Sequence, residues 1–134
     1  MEGNMTDKRD IKSIAEGLVE LCRKVQFRNA IDRYYSDDIV SMEAVELPGL
    51  GKEQRGIGAI RDKDTWFAQN NEVHSCKANG PFLGAGLYAN QFAVHFLLDH
   101  TPKSTGKRVT MDEMALYTVN DGKIVREEFY YPGD

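Results

Sequence analysis

Residues 109–131 read VTMDEMALYTVNDGKIVREEFYY and carry the clearest structural signal in the chain. Val109–Val119 is rich in β-branched and aromatic residues, which is typical of a strand. Asn120-Asp121-Gly122 is a turn sequence that favours a tight hairpin. Lys123–Tyr131 then alternates between two faces until Pro132-Gly133 stops it. This stretch predicts a long antiparallel hairpin at the end of the chain.

Two more strands are predicted before this hairpin. Residues 73–78 form a strand that Asn79-Gly80-Pro81 interrupts. A longer strand follows, in which one set of side chains recurs at every second position. This set comprises Tyr88, Asn90, Phe92, Val94, Phe96 and Leu98. His100–Gly106 is polar, contains Pro102 and is predicted to be a loop.

The first 70 or so residues have helical spacing instead. After Thr6, a candidate N-cap, apolar side chains recur at steps of three and four, as on one face of an amphipathic helix. They are Ile11, Ile14, Ala15, Leu18, Cys22 and Val25. A second helix is predicted from Phe27, with the break near Val25–Gln26, and a third from Gly56. Between them lie a short strand, Ile39–Val45, and a turn-rich loop, 47–51. Helices followed by strands predict an α+β domain.

Length and composition are those of one globular domain. The chain has 134 residues, of which 41% are hydrophobic and 28% charged. The acidic, polar start is unlike a secretory signal. We expect residues 1–5 to form a flexible tail and residues 6–134 a single domain.

The charge pattern argues against polyanionic partners. The formal net charge is −4, and the longest basic runs are pairs. Nucleic-acid or anionic-membrane binding would need a basic cluster, so neither is predicted. No apolar stretch approaches the ~20 residues of a membrane span. Cys22 and Cys76 lack zinc-site spacing, which favours free thiols in a reducing compartment, the cytoplasm, with a disulfide between them as the alternative.

Three local motifs sharpen the fold prediction. They are Tyr35-Ser-Asp-Asp-Ile-Val-Ser-Met-Glu43, Arg55-Gly-Ile-Gly-Ala-Ile60 and Asn120-Asp-Gly-Lys-Ile-Val125. In their order and spacing, the chain resembles the SnoaL-like branch of the nuclear transport factor 2-like superfamily. The resemblance extends from about Lys8 to Tyr131. Each motif is unspecific alone, and their common order carries the resemblance.

The resemblance implies a cone-shaped, curved, mixed but mostly antiparallel sheet wrapped by three N-terminal helices, a cystatin-like roll. It implies a pocket for a small-molecule ligand inside the cone, no cofactor, and a homodimer formed through the outer face of the sheet. Members include ketosteroid isomerases, polyketide cyclases, dehydratases, epoxide hydrolases and proteins without known catalysis. The fold therefore does not settle the function.

Glu43 is the first candidate catalytic residue that the resemblance implies. Aligned with ketosteroid isomerase, it falls on the position of the proton-transferring aspartate, where an apolar cavity would raise the pKa of a carboxylate. The two oxyanion-hole positions fall on Val19 and Met114, which cannot donate a hydrogen bond. Asp112 and Glu113 are neighbours of Met114, and a one-residue shift would change the side that faces inward. Steroid isomerisation is therefore disfavoured.

The last predicted strand supplies further candidates. The resemblance directs Glu127, Phe129 and Tyr131 towards the pocket, with Glu127 or Glu113 as a second acid/base and Tyr131 as a hydrogen-bond donor. Residues expected to contact the ligand are Val19, Trp66, Phe92, Met114, Phe129 and Tyr131. Structural alternatives are a solvated Glu43, a Glu127-Glu128 pair on a solvated or dimer-facing strand, and Trp66 as core packing.

The histidines do not predict a metal site. By alternation His95 lies on the outer face of its strand, where an interface is one interpretation. His74 opens a strand, and His100 lies in or next to the polar loop. No His-x-His or His-Glu-x-x-His spacing exists. The chain also lacks a Gly-x-Ser-x-Gly elbow, a P-loop and a dinucleotide fingerprint.

Three functional hypotheses follow. The first is an enzyme that moves a proton on a small, largely apolar carbonyl compound, as an isomerase, cyclase or dehydratase does. The second is a non-catalytic ligand-binding module with the same pocket. The third is a dimerisation or interaction module, which predicts a cone filled by side chains. The first requires a carboxylate in a closed cavity, and the second requires only the cavity.

Overall fold

The computed structural model describes residues 10–133, and the predicted tail and the predicted Thr6 cap lie outside this range. The helices are α1 (Ile11–Arg23), α2 (Phe27–Tyr34) and α3 (Ile57–Asn70). The strands are β1 (Tyr35–Leu47), β2 (Gly51–Arg55), β3 (Asn71–Leu83), β4 (Gln91–Pro102), β5 (Val109–Asn120) and β6 (Lys123–Tyr130). A short 3-10 turn, Gly86–Tyr88, lies between β3 and β4. The predicted α+β arrangement of three helices and a mostly antiparallel sheet is confirmed.

The first two helices follow the predicted spacing. The Asp10 side chain caps α1 by accepting a hydrogen bond from the Ser13 N–H at 2.7 Å. The helix buries its apolar face, formed by Ile14, Ala15, Leu18, Val19 and Cys22. The chain turns at the predicted break, where Val25 has a φ of 58°, in the left-handed region that β-branched residues rarely adopt.

The six strands form one sheet in the order β2-β1-β6-β5-β4-β3. All neighbours are antiparallel except β1 and β6, whose parallel register pairs Ser41 with Glu127. The predicted hairpin joins β5 to β6, with Asn120 opposite Lys123. The sheet is curved and does not close on itself. This curvature leaves an inner face that the helices cover.

Several strands differ from the predictions. β3 runs from Asn71 to Leu83 through Asn79-Gly80-Pro81, which was predicted to interrupt it, and β4 begins at Gln91, so that Tyr88 lies in the 3-10 turn. β1 begins at Tyr35 instead of Ile39, and β4 continues to Pro102 through half of the predicted loop. β2 was not predicted, because its sequence Gly-Lys-Glu-Gln-Arg has no apolar alternation. Its pairing with β1 holds it in place at the edge of the sheet.

The helices fill the inner face unevenly. α1 packs on β3 and β4, whereas α3 packs on β1, β2 and β3. Phe92 and Tyr117 stack with ring centroids 4.8 Å apart, and both belong to the same core cluster as Ile14 and Leu18. In residues 10–133, no helix is long and apolar enough to cross a membrane.

We expect Gly17→Ala and Gly58→Ala to change stability in opposite directions, although both glycines are helical. A Cβ at Gly17 would overlap the hydroxyl of the buried Tyr34, whereas no atom lies within 4 Å of a Cβ at Gly58. Gly17→Ala should lower the free energy of unfolding by about 1–3 kcal/mol. Gly58→Ala should raise it by about 0.5 kcal/mol, because alanine restricts the unfolded chain. Urea denaturation measures both, and equal changes would show that Tyr34 does not restrict α1.

Candidate active site

A cavity of about 380 Å³ lies between the inner face of the sheet and helices α2 and α3. Its walls are largely apolar and include Phe27, Ile60, Trp66, Phe67, Leu98 and Met111. A compact polar group interrupts them, comprising Tyr35, Glu43, Lys63, Glu113, Glu127 and Tyr131. The interior of the curved sheet is therefore not filled by side chains.

Six of the residues predicted for the site line this cavity. They are Glu43, Trp66, Glu113, Glu127, Phe129 and Tyr131. Glu43 comes from β1, Glu113 from β5, and Glu127 and Phe129 from β6. The structure thus brings the three predicted carboxylates to one region.

The other three residues predicted to contact a ligand do not line the cavity. Val19 and Phe92 are fully buried in the core, at the part of the inner face that α1 covers, and neither lines the cavity. Met114 is 40% exposed on the outer face. Side chains alternate along a strand, so Met114 points away from the face on which Glu113 and Ala115 lie.

Glu43 is held by two donors. Lys63 Nζ donates to its Oε2 at 2.7 Å and forms a salt bridge, while Tyr131 Oη donates to its Oε1 at 2.8 Å. The side chains of Lys63 and Glu43 are only 11% and 12% exposed. Lys63 also donates to Ser41 Oγ at 2.6 Å and lies 5.3 Å from the ring centroid of Phe129. The cation therefore joins α3 to β1 within the cavity wall.

Glu127 is the most enclosed of the three carboxylates. It is 2% exposed, and Tyr35 Oη donates a hydrogen bond to its Oε1. Ser41 also bonds to it, and Lys63 Nζ lies 3.9 Å from its Oε2. Burial raises the pKa of Glu127, an effect that the Lys63 charge and the two hydrogen bonds oppose. Its oxygens are thus engaged by protein groups.

Glu113 has the opposite environment. Among residues 10–133, no hydrogen-bond or ion-pair partner contacts its carboxyl group. Burial, followed by the charges of Glu43 and Glu127, raises the pKa of Glu113 to about 8. The carboxyl group is therefore mostly protonated at neutral pH and can donate a hydrogen bond into the cavity.

The thiols of Cys22 and Cys76 are unpaired and also line the cavity. Burial raises the pKa of Cys76 to about 11 and that of Cys22 further. Because the thiolate is the nucleophilic form, both thiols are unreactive at neutral pH. Within the described part of the chain, no three His, Cys, Asp or Glu side chains are grouped to hold a metal ion.

Sequence reasoning missed Lys63, Tyr35 and Ser41. A signal for Lys63 exists, because it is three residues after Ile60 and four before Phe67, both on the apolar side of α3. A lysine at such a position must reach an anion or water. Tyr35 and Ser41 carry no comparable signal, since their role depends on the parallel pairing of β1 with β6.

A family model of the SnoaL-like domain matches residues 10–131. The chain belongs to the SnoaL-like domain family. A crystal structure from Mesorhizobium loti, named as a candidate SnoaL-like polyketide cyclase and also as a carbohydrate phosphatase, is similar along 92% of this chain and 100% of its own. The two sequences are 43% identical, and the TM-score is 0.83.

More distant structures share the fold of this SnoaL-like protein. A candidate isomerase from Bacillus subtilis is 16% identical, with a TM-score of 0.69 over 90% of this chain and 84% of its own. A candidate polyketide cyclase from Pseudomonas putida is 12% identical, with a TM-score of 0.70 over 92% of each chain. The family match and the Mesorhizobium loti structure, with these similar folds, confirm the predicted nuclear transport factor 2-like α+β cone. No curated protein sequence matches the chain.

The raised pKa of Glu113 predicts a pH-dependent stability. Between pH 4.5 and about 8 the folded SnoaL-like protein holds a proton on Glu113 that the unfolded chain has lost, so stability falls as the pH rises. Glu113→Gln removes this dependence. As the pH rises through this window, the free energy of unfolding of the variant should increase relative to that of the wild type, by up to about 1.4 kcal/mol per pH unit.

Urea denaturation from pH 5 to pH 9 measures the difference. Glu16→Gln, on the exposed side of α1, is the control and should follow the wild type. If Glu113→Gln also follows the wild type at every pH, Glu113 is ionised in the folded protein and the assignment fails.

Lys63 should be needed for stability as well. Lys63→Met leaves two buried carboxylates without their cation, and it should cost about 3–5 kcal/mol at pH 7. Adding Glu43→Gln should recover part of this loss, because it removes one of the two charges. Lys12→Met, on the exposed face of α1, controls for the loss of a lysine. If Lys63→Met does not change the free energy of unfolding, measured by heat or urea, the Lys63–Glu43 ion pair is solvated.

Proposed function

We propose that this SnoaL-like protein is a cofactor-independent enzyme that binds a small, largely apolar carbonyl compound and moves a proton on it, as an isomerase, cyclase or dehydratase does. One observation carries the proposal: two carboxylates with contrasting environments meet at one side of an apolar cavity. Glu43 forms an ion pair with Lys63, whereas Glu113 lacks a partner in residues 10–133 and has a raised pKa. Such divergent pairs serve as base and acid in proton-transfer enzymes.

Glu43 is the proposed base. As the ion-paired carboxylate, it can accept a proton from the carbon next to the substrate carbonyl, while Lys63 and Tyr131 fix the orientation of its two oxygens. Removal of that proton sends negative charge to the carbonyl oxygen. Lys63, the ion-pair partner of Glu43, lies beside this region and lowers the cost of the developing anion.

Glu113 is the proposed acid. A carboxylic acid kept neutral at pH 7 donates a hydrogen bond to an oxyanion as it forms, and can return a proton at the end of the reaction. Glu127 was the alternative for this role, but Tyr35, Ser41 and Lys63 already surround its oxygens. Because Glu113 has no partner within residues 10–133, it is favoured over Glu127 as the second acid/base.

The names of similar proteins support the same class of chemistry. The Mesorhizobium loti and Pseudomonas putida proteins are named as candidate polyketide cyclases, and the Bacillus subtilis protein as a candidate isomerase. Cyclases and isomerases of carbonyl compounds both begin with the loss of a proton next to a carbonyl group. We propose that the substrate of this chain reacts in the same way.

We also propose that the protein is a homodimer and that it is located in the cytoplasm. On the outer face, Met114 and Tyr130 are partners across β5 and β6 and are 40% and 55% exposed. Apolar side chains at this position favour pairing through the sheet, and the unpaired Cys22 and Cys76 agree with a reducing compartment.

Hydrogen–deuterium exchange tests the reaction without knowledge of the product. Apolar ketones that raise the melting temperature of the wild type would be incubated with it in D2O, and loss of the α-proton signal followed by NMR. We expect exchange to be catalysed, and Glu43→Gln to slow it at least about 100-fold. Glu46→Gln, exposed on the same strand, should leave the rate unchanged. Ketone binding without exchange would instead favour a non-catalytic binding module.

A further inference from the structure

His100 lies in the cavity wall, far along the sheet from the carboxylates. It continues the inward-facing series of β4 after Phe96 and Leu98, and it is 7% exposed. The sequence pattern predicted that a polar loop begins at His100, which is wrong because β4 extends to Pro102. Its imidazole lines the same cavity as Glu113 and lies 5.8 Å, centroid to centroid, from the ring of Phe67.

The hydrogen bonds around His100 define its tautomer. Asn71 Nδ2 donates to the Phe67 carbonyl at 3.0 Å, which turns Asn71 Oδ1 towards His100 Nδ1, also at 3.0 Å. Since Oδ1 can only accept, Nδ1 carries the hydrogen. Burial lowers the pKa of His100, so the ring is neutral and Nε2 keeps its lone pair. Within residues 10–133, Nε2 has no hydrogen-bond partner.

The sheet register gives the separation between His100 and the acid. Phe96 is opposite Glu113, Leu98 opposite Met111, and His100 opposite Val109. Four residues of β4 therefore separate the two positions, which is roughly 13 Å along a strand. Leu98 and Met111 line the cavity between them. The cavity thus has a hydrogen-bond donor at one end, an acceptor at the other and apolar walls between.

We propose that His100 Nε2 accepts a hydrogen bond from a hydroxyl or N–H group at the end of the substrate remote from its carbonyl. This inference rests on the proposed function and names its substrate class: apolar molecules with a carbonyl at one end and a hydrogen-bond donor at the other. His100 is then a specificity-determining residue, because a ligand without the donor leaves Nε2 unpaired in a buried site.

Four compounds that share one carbon skeleton distinguish the contribution of the hydroxyl group from that of the carbonyl group. They are phenylcyclohexane, 4-phenylcyclohexanone, 4-cyclohexylphenol and 4-(4-hydroxyphenyl)cyclohexanone, whose affinities isothermal titration calorimetry would compare at pH 7. We expect the hydroxyl group to tighten binding about 5- to 10-fold, with or without the carbonyl. His100→Phe keeps an aromatic ring and should abolish that gain. His74→Phe, at an exposed histidine, should retain it.

A measurement on the wild type guards against a poorly folded His100→Phe. 4-(4-methoxyphenyl)cyclohexanone replaces the donor by an acceptor, so it should lose the gain that the hydroxyl gives. A hydroxyl group that adds no affinity, a gain that survives in His100→Phe, or an equal gain from the methoxy group would overturn the inference. If the hydroxyl group tightens binding through His100 but the carbonyl group does not tighten binding, the role of His100 is supported and the proposed function is contradicted.

Discussion

The salt bridge between Lys63 and Glu43 is the interaction on which the site depends. A cation that is 11% exposed must be neutralised by nearby anions, since a lone buried charge costs several kcal/mol. Lys63 contacts Glu43 and Ser41 on β1 and approaches Glu127 on β6. One ammonium group thereby ties α3 to two neighbouring strands.

This bridge explains why the three carboxylates differ. Glu43 and Glu127 share the cation of Lys63, and Tyr131 and Tyr35 supply further donors to them. Glu113, on β5, is left with their charges but without a donor in the described residues, and its pKa rises to about 8. Among the described residues that line the cavity, one cation, Lys63, faces three glutamates. The chemical asymmetry of the site therefore follows from this ratio and from where α3 places Lys63.

The sequence predicts the fold better than the site, for physical reasons. Alternation around the Asn120-Asp121-Gly122 turn is a local property, so the β5–β6 hairpin was predicted. The inward position of Glu113 rather than Met114 depends on strand register, in which a shift of one residue moves a side chain to the opposite face. Lys63 was overlooked because a lysine is usually solvated, although its helical phase placed it inward.

The position of His100 changes what the cavity can select. A site with polar groups at only one end would bind any apolar ketone that fits, since apolar walls reject little. In the proposed complex, a neutral imidazole whose Nε2 has no partner in residues 10–133 penalises ligands that leave it without a donor. The register between β4 and β5 fixes the distance between Glu113 and His100, and this distance sets the length of a ligand that can bind to both. In the proposed reaction, the acid Glu113 on β5 and the specificity-determining His100 on β4 lie on neighbouring strands with an apolar span between them, whereas the base Glu43 lies on β1.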